Sequence, residues 1–246
     1  MDYIYLSPHL DDVVLSCGGL IWEQTRAGRQ VGIWTLCAGD APPGPLSPFA
    51  QSLHARWETG PAATARRRLE DIAACQRLLA SCHHFDIPDC IYRRAGPPGQ
   101  VDFLYASEEA LFGSLHPAEE PLVQDLANEL AQSVPTGAQL VCPLTLGNHV
   151  DHQLTRVAAE RLNRPLWYYA DYPYASQQSS QLEELRQQGW QPVRFPVSPD
   201  GLRAWQEAVA AHQSQISTFW PDLDSMRAAI QGYWAGAESG VILWQM

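Results

Sequence analysis

His9, Asp11 and Asp12 stand directly after an apolar run, Tyr3-Ile4-Tyr5-Leu6-Ser7. An imidazole and two carboxylates at the end of a buried strand are costly unless something cationic sits among them. A second group, His149, Asp151 and His152, follows another apolar run, Leu140-Val141-Cys142-Pro143-Leu144. Two strand ends that each deliver His and Asp can share one metal ion. Catalytic zinc takes three protein ligands and keeps one position open for water. His9 and Asp12 are three residues apart where the chain turns from strand to helix, so both side chains can converge. His152, at the start of a later helix, completes the set. Asp11 is then directed elsewhere and is free to act as general base toward the attacking water. His149 would face the substrate as an imidazolium, donating to a developing oxyanion or to a leaving amine. Asp151 would hold that imidazolium protonated, as a carboxylate behind a histidine does. Each residue has a plainer use by itself: Asp12 as a helix N-cap, His9 as a hydrogen-bonded core histidine, His149 and His152 as a solvated helix start. Two such clusters at strand ends favour the shared site, and the chemistry it implies is metal-dependent hydrolysis.

The segments that must position these residues alternate in character. Tyr3–Ser7, Gln30–Cys37, His84–Ile87, Gln139–Pro143 and Pro165–Ala170 read as strands. Asp12–Ala27, Ala62–Ser81, Glu119–Ser133 and Asp151–Leu162 have helical spacing. Alternation of this kind predicts an α/β fold with a mostly parallel sheet covered on both faces. Ligands bind such sheets at the carboxyl ends of the strands, where both clusters fall. Residues 41–60 are rich in Pro, Gly and Ser yet hold Phe49, Leu53 and Trp57, and 91–116 are similar. Both read as ordered loops that shape a substrate pocket. Past Gly189 come Pro192–Pro196, a helical stretch from Leu202 to Ile216, and a final apolar run, Val241–Trp244, expected to pair at a sheet edge. The rings of Tyr168-Tyr169-Ala170-Asp171-Tyr172-Pro173-Tyr174 end a strand near the pocket and can stack on a sugar or fill the core.

The chain of 246 residues fits one domain, 1–246. A net charge of −11 with 16 basic residues, all of them arginine, argues against nucleic-acid binding. The lack of lysine excludes Schiff-base and P-loop lysine chemistry. No GxGxxG follows the first strand and no GxSxG elbow is present, which disfavours dinucleotide binding and serine hydrolysis. The six cysteines show no CxxC spacing and read as small buried hydrophobes; His54, His83, His84, His116 and His212, with no acidic partner at ligand spacing, read as structural. The start lacks a basic segment before its short apolar run, and no stretch reaches the length of a membrane span, so a cytoplasmic location is expected.

Ser7-Pro8-His9-Leu10-Asp11-Asp12, followed by Cys17-Gly18-Gly19 and later by His149-Val150-Asp151-His152, resembles the PIG-L (LmbE-like) family of zinc-dependent N-deacetylases. The resemblance spans about the first 175 residues. It implies a Rossmann-like three-layer sandwich, and removal of acetyl groups from N-acetylglucosamine-type sugars or their conjugates. It implies Zn²⁺ (with Fe²⁺ as the other metal considered) held by His9, Asp12 and His152, Asp11 as general base, and His149 stabilising the transition state. It further implies Arg67 and Asp89 as substrate contacts. Leu10 and Val13 depart from the family pattern, which has Pro and Glu there, and mark a divergent branch with an open substrate. The expected partner is a small N-acetylated sugar or glycoconjugate, and a homo-oligomer is left open. Two other readings compete: a non-haem iron enzyme built on the same two histidines and carboxylate, and a non-catalytic sugar-binding protein.

Overall fold

The computed structural model describes residues 1–56, 63–96 and 102–246. In chain order the first elements are β1 (Tyr3–Ser7), α1 (Asp12–Arg26), β2 (Val31–Thr35), α2 (Pro48–Arg56), α3 (Ala63–Arg77) and β3 (Ser81–His84). A short antiparallel pair, β4 (Arg94–Ala95) and β5 (Asp102–Phe103), precedes α4 (Glu108–Leu111) and α5 (Glu120–Ser133). Then follow β6 (Gln139–Pro143), α6 (Val150–Glu160), β7 (Leu166–Tyr169), α7 (Ser179–Gln187) and β8 (Gln191–Pro196). The last elements are α8 (Pro199–Val209), α9 (Gln213–Phe219), α10 (Leu223–Gly236) and β9 (Gly240–Gln245).

Seven strands form one sheet in the order β3-β2-β1-β6-β7-β9-β8. The first five run parallel, with Tyr5 opposite Ile33 on one side and Val141 on the other. Strand β9 is antiparallel to both β7 and β8. Side chains alternate across the sheet as a period of two requires. Tyr5, Ile33, Val141 and Leu243 pack with α1, α3, α8 and α10 on one face, while Ile4, Leu6, Leu140 and Cys142 pack with α5 and α6 on the other. This is the expected three-layer α/β sandwich, and burial on both faces explains why the parallel strands read as continuous apolar runs. Strand order reverses between β1 and β6, so the crevice outside their carboxyl ends is the topological switch point.

Glycine at 18 and 19 has a packing role. A Cβ at Gly18 would stand 2.5 Å from Cδ1 of Trp205, and one at Gly19 would stand 2.8 Å from the same ring and from Val197. The fully buried Trp205 lies on this bare stretch of α1, and its Nε1 donates to the Val14 carbonyl at 2.7 Å.

Several expectations are corrected. The third strand is Ser81–His84, ahead of the expected His84–Ile87, because Leu79 takes a left-handed conformation (φ 57°) and ends the helix early enough to start the strand at Ser81. Residue 62, the expected start of α3, lies outside the described residues, as does Trp57. The stretch from Leu202 to Ile216 divides into α8 and α9, with His212 between them. The final strand lies inside the sheet, where it pairs on both sides, and β8 is the edge. Helices α7 and α10 were not anticipated. The 41–60 and 91–116 segments contain α2, β4, β5 and α4, so among the described residues neither is a plain loop. Among the described residues, no helix is long and apolar enough to cross a membrane.

Candidate active site

The β1–α1 turn is shaped by its own polar atoms. Ser7 Oγ donates to the His9 carbonyl at 2.6 Å and accepts from Val13 N at 3.2 Å, tying the strand end to the first helical turn. Asp12 Oδ2 accepts from His9 N at 2.8 Å, which brings the His9 ring over the same carboxylate. The β6–α6 loop is built differently. Thr145, Gly147 and Asn148 have φ of 66°, 85° and 62°, a left-handed run costly for the β-branched Thr145. Asn148 Nδ2 secures it by donating to the carbonyls of Phe112 and Gly113. The loop releases His149 as the N-cap of α6 and His152 one turn later.

His9, Asp12 and His152 meet. Asp12 Oδ2 is 3.1 Å from His9 Nδ1 and 3.3 Å from His152 Nε2. Each histidine presents its other nitrogen to a buried carboxylate of its own: His9 Nε2 is 2.9 Å from Asp151 Oδ2, and His152 Nδ1 is 2.6 Å from Asp171 Oδ1. Burial opposes protonation of both rings, yet these acids outweigh it; His9 is raised well above its usual value and His152 is pushed up to about 9. Asp12 is held well below the carboxylate range, because the two histidines outweigh its burial. Asp11 moves the opposite way: burial raises it, and Arg67, whose Nη2 donates to Asp11 Oδ1 at 3.4 Å, offsets this only in part. Neighbouring carboxylates pushed apart in this way are suited to different tasks.

The donor set fits a divalent cation. A metal-ligating histidine uses one nitrogen for the ion and gives the other N–H to a carboxylate, which fixes tautomer and orientation. His9 and His152 both have that arrangement, with Asp12 between the two inward-facing nitrogens. The ring nitrogens of His9, His149 and His152 also lie within 4.8 Å of one another.

Two expectations need correction. Asp151 does not sit behind His149. Its Oδ2 takes His9 Nε2 and the Cys90 N–H (3.0 Å), and its Oδ1 is 2.5 Å from Arg93 Nη2. His149 is not held as an imidazolium either: burial, followed by the charge of His9, lowers it well below its usual value. Its Nδ1 accepts from the Asp151 backbone N–H at 3.2 Å, so the neutral ring carries its proton on Nε2. The positive end of a helix works in the same direction as these two causes.

The cavity at the switch point holds about 200 Å³ and is lined by His9, Asp11, Asp12, His149 and His152. Arg67 and Asp89 also line it; Asp89 Oδ1 caps Ile91 N at 3.1 Å, leaving Oδ2 3.9 Å from His9 Nε2. The described parts of the two inserted segments contribute Phe49, Leu53, Arg56, Ile91 and Phe112 to the wall. Tyr174 reaches the cavity, whereas Tyr168, Tyr169 and Tyr172 are buried.

Asp171 was missed in the sequence although it carries the same signal as the other clusters, an acid just past an apolar strand. Arg93 and Glu119 had no local signal. Arg93 lies between Asp151 and Glu119 only after the β4–β5 segment has packed down; it is 2.5 Å from Glu119 Oε1 through Nε, and Tyr105 OH donates to Glu119 Oε2 at 2.7 Å.

Deacetylases of sugar conjugates are among the proteins this chain is similar to. The chain is 28% identical over 211 residues to 2'-N-acetylparomamine deacetylase of Niallia circulans, a match covering 78% of this chain and 73% of that one. Its fold is similar to a zinc-inhibited form of teicoplanin deacetylase, at TM-score 0.83 and 27% identity over 99% of this chain and 97% of the other. It is also similar to A40926 pseudoaglycone deacetylase, at TM-score 0.73 and 27% identity over 99% and 96%. The family model for GlcNAc-PI de-N-acetylase matches residues 4–163, and the chain belongs to this PIG-L family.

Proposed function

We propose that this protein is a metal-dependent hydrolase that removes an acetyl group from the nitrogen of an amino sugar within a glycoconjugate. One observation carries the reading: His9 and His152 each aim one ring nitrogen at Asp12 and the other at a different buried carboxylate. The relatives, deacetylases of acetylparomamine and of teicoplanin, support the same reaction on sugar conjugates.

His9, Asp12 and His152 would hold the ion, and two imidazoles with one carboxylate suit zinc. When bound, zinc polarises the amide carbonyl and lowers the pKa of the attacking water. Asp11, raised by burial, is the proton acceptor for that water. The same carboxyl then returns the proton to the departing nitrogen, because a neutral His149 has none to spare. His149 Nε2–H instead donates a hydrogen bond to the carbonyl oxygen as negative charge builds there, which a neutral ring at a helix N-terminus does without reorganising. Asp151 and Asp171 keep His9 and His152 in the required tautomers. Arg67 holds Asp11 in place from the cavity wall, and Arg67 with Asp89 meets the sugar hydroxyls.

Amine release from N-acetylated amino sugars and their conjugates, followed with zinc-loaded protein, tests the proposal. Asp11→Asn should retain the metal while turnover falls by about 10²–10⁴. No amine from any acetylated sugar with the native protein, or native turnover in Asp11→Asn, would overturn it.

A further inference from the structure

A second group of metal-ligand side chains lies on the pair formed by α3 and β3, on residues that the active site does not use. Asp71 and Cys75 are four apart on α3 and share a face of that helix. Cys82 and His84 are two apart on β3 and share a face of that strand. A turn of three residues, closed by Ala80 N donating to the Cys75 carbonyl at 3.0 Å, folds the two faces together. His84 Nε2 is 2.7 Å from Asp71 Oδ2 and 3.1 Å from Cys82 Sγ. Cys82 Sγ is 3.7 Å from Asp71 Oδ2, and the ligand atoms of Asp71, Cys75 and Cys82 all lie within 4.8 Å of one another.

The same imidazole nitrogen faces both the thiol and the carboxylate. A nucleophilic relay would place the acid on one ring nitrogen and the thiol on the other. Convergence on Nε2 is instead the pattern of atoms that share a centre. By ordinary zinc bond lengths the atoms of a tetrahedral Cys₂HisAsp set stand roughly 3.3–3.8 Å apart. Cys82 Sγ and Asp71 Oδ2, 3.7 Å apart, already stand at that spacing; the two distances from His84 Nε2 are tighter, and an outward shift of its ring by about half an ångström opens them toward it. The ring has room to move: Asp71 and Cys75 are buried, but Cys82 and His84 reach the surface at the edge of the sheet, which supplies an entry path.

We propose that Asp71, Cys75, Cys82 and His84 form a second site for a borderline-soft divalent cation such as zinc, separate from the catalytic centre. The ion would clamp edge strand β3 to α3. Binding replaces the proton on each thiol by a metal–sulfur bond, and the protons leave to solvent.

Cobalt is the probe. The full-length protein, stripped of metal and titrated with Co²⁺, should take up two equivalents and develop thiolate-to-cobalt charge-transfer absorption. Cys82→Ser should lose that absorption and one equivalent while keeping deacetylase activity. Cys90→Ser is the control, because Cys90 lies near His149 and Asp151 and is the other thiol within reach of a metal group among the described residues; it should keep the absorption. In the unsubstituted protein, zinc should slow maleimide labelling of Cys82 by roughly tenfold or more, since a bound thiolate is no longer a free nucleophile. That readout stands even if a serine variant fails to fold. Absence of the absorption from cobalt-loaded protein, its loss in Cys90→Ser but not in Cys82→Ser, or labelling unaffected by zinc would each overturn the proposal.

Discussion

Arg93→Met should unfold this protein far more readily than loss of one arginine from a surface would. Arg93 is 7% exposed and lies between Asp151, fully buried, and Glu119, 3% exposed. Its Nη2 is 2.5 Å from Asp151 Oδ1 and donates to Glu119 Oε2 at 3.2 Å. Burial pushes the Asp151 carboxyl up, but Arg93 and His9 together hold it well below the carboxylate range. Methionine fills much of the arginine stem's volume, so packing changes little and the lost charge dominates. Two carboxylates would then lose the guanidinium between them in a low-dielectric interior, with His9 and the Cys90 N–H left to Asp151 and only the Tyr105 hydroxyl to Glu119 among the partners described above. Breaking a buried pair by removing one partner costs about 3–5 kcal/mol. For a chain of this size each kcal/mol lowers the melting midpoint by about 2–4 °C, so a fall of roughly 6–20 °C is expected by calorimetry. Glu119→Gln in the same protein removes one abandoned charge, so the double variant should be more stable than the sum of the single costs by over ~1 kcal/mol. Amine release should also fall in folded Arg93→Met protein, because Asp151 orients His9. A single variant within ~1 kcal/mol of the native protein, or two fully additive costs in urea unfolding, would refute this reasoning.

Asp171→Asn replaces the charged acceptor that orients His152 by a neutral amide and should weaken cation affinity by about 10–100-fold in a chelator competition, with the fold intact by circular dichroism. Gly18→Ala should cost about 1–3 kcal/mol in urea, because its Cβ would meet the rigid Trp205 ring at 2.5 Å; an unchanged midpoint would show that α8 can retreat freely. In metal-stripped protein, burial disfavours protonated His84, yet the hydrogen bonds of Asp71 and Cys82 push it up to about 9. This stabilisation should be fully present below the unfolded value of about 6.5 and lost as pH rises through about 9. Stability measured across that window should therefore decline in the native protein and lose this step in His84→Asn.

Much of the sheet was legible from local pattern, since parallel strands buried on both faces leave continuous apolar runs. Tyr3–Ser7 and Gln139–Pro143 appear in the structure at the bounds their composition implies. The helices α1, α5 and α6 differ from expectation by a residue or two at their ends. Where the pattern failed, tertiary contacts set the outcome. Val241–Trp244 reads as an edge strand until β8 pairs with its open side, and α2 is inconspicuous because Pro, Gly and Ser around it conceal two buried positions, Ala50 and Leu53.

Chain order by itself determined which residues end β1 and β6, and therefore that His9, Asp12 and His152 would be delivered to one crevice. It could not determine their partners, because a pairing between residues 142 positions apart, such as His9 with Asp151, leaves no periodic trace in either segment. Only the packed fold decided that Asp151 serves His9 and that His149 Nδ1 accepts the Asp151 N–H at a helix N-terminus. It also decided that Arg93 settles between two buried acids, and that His84 acquires Asp71. The physical reason is the same in each case: burial makes an unpaired charge costly, so partners are chosen by what the fold places within reach rather than by neighbourhood in the chain.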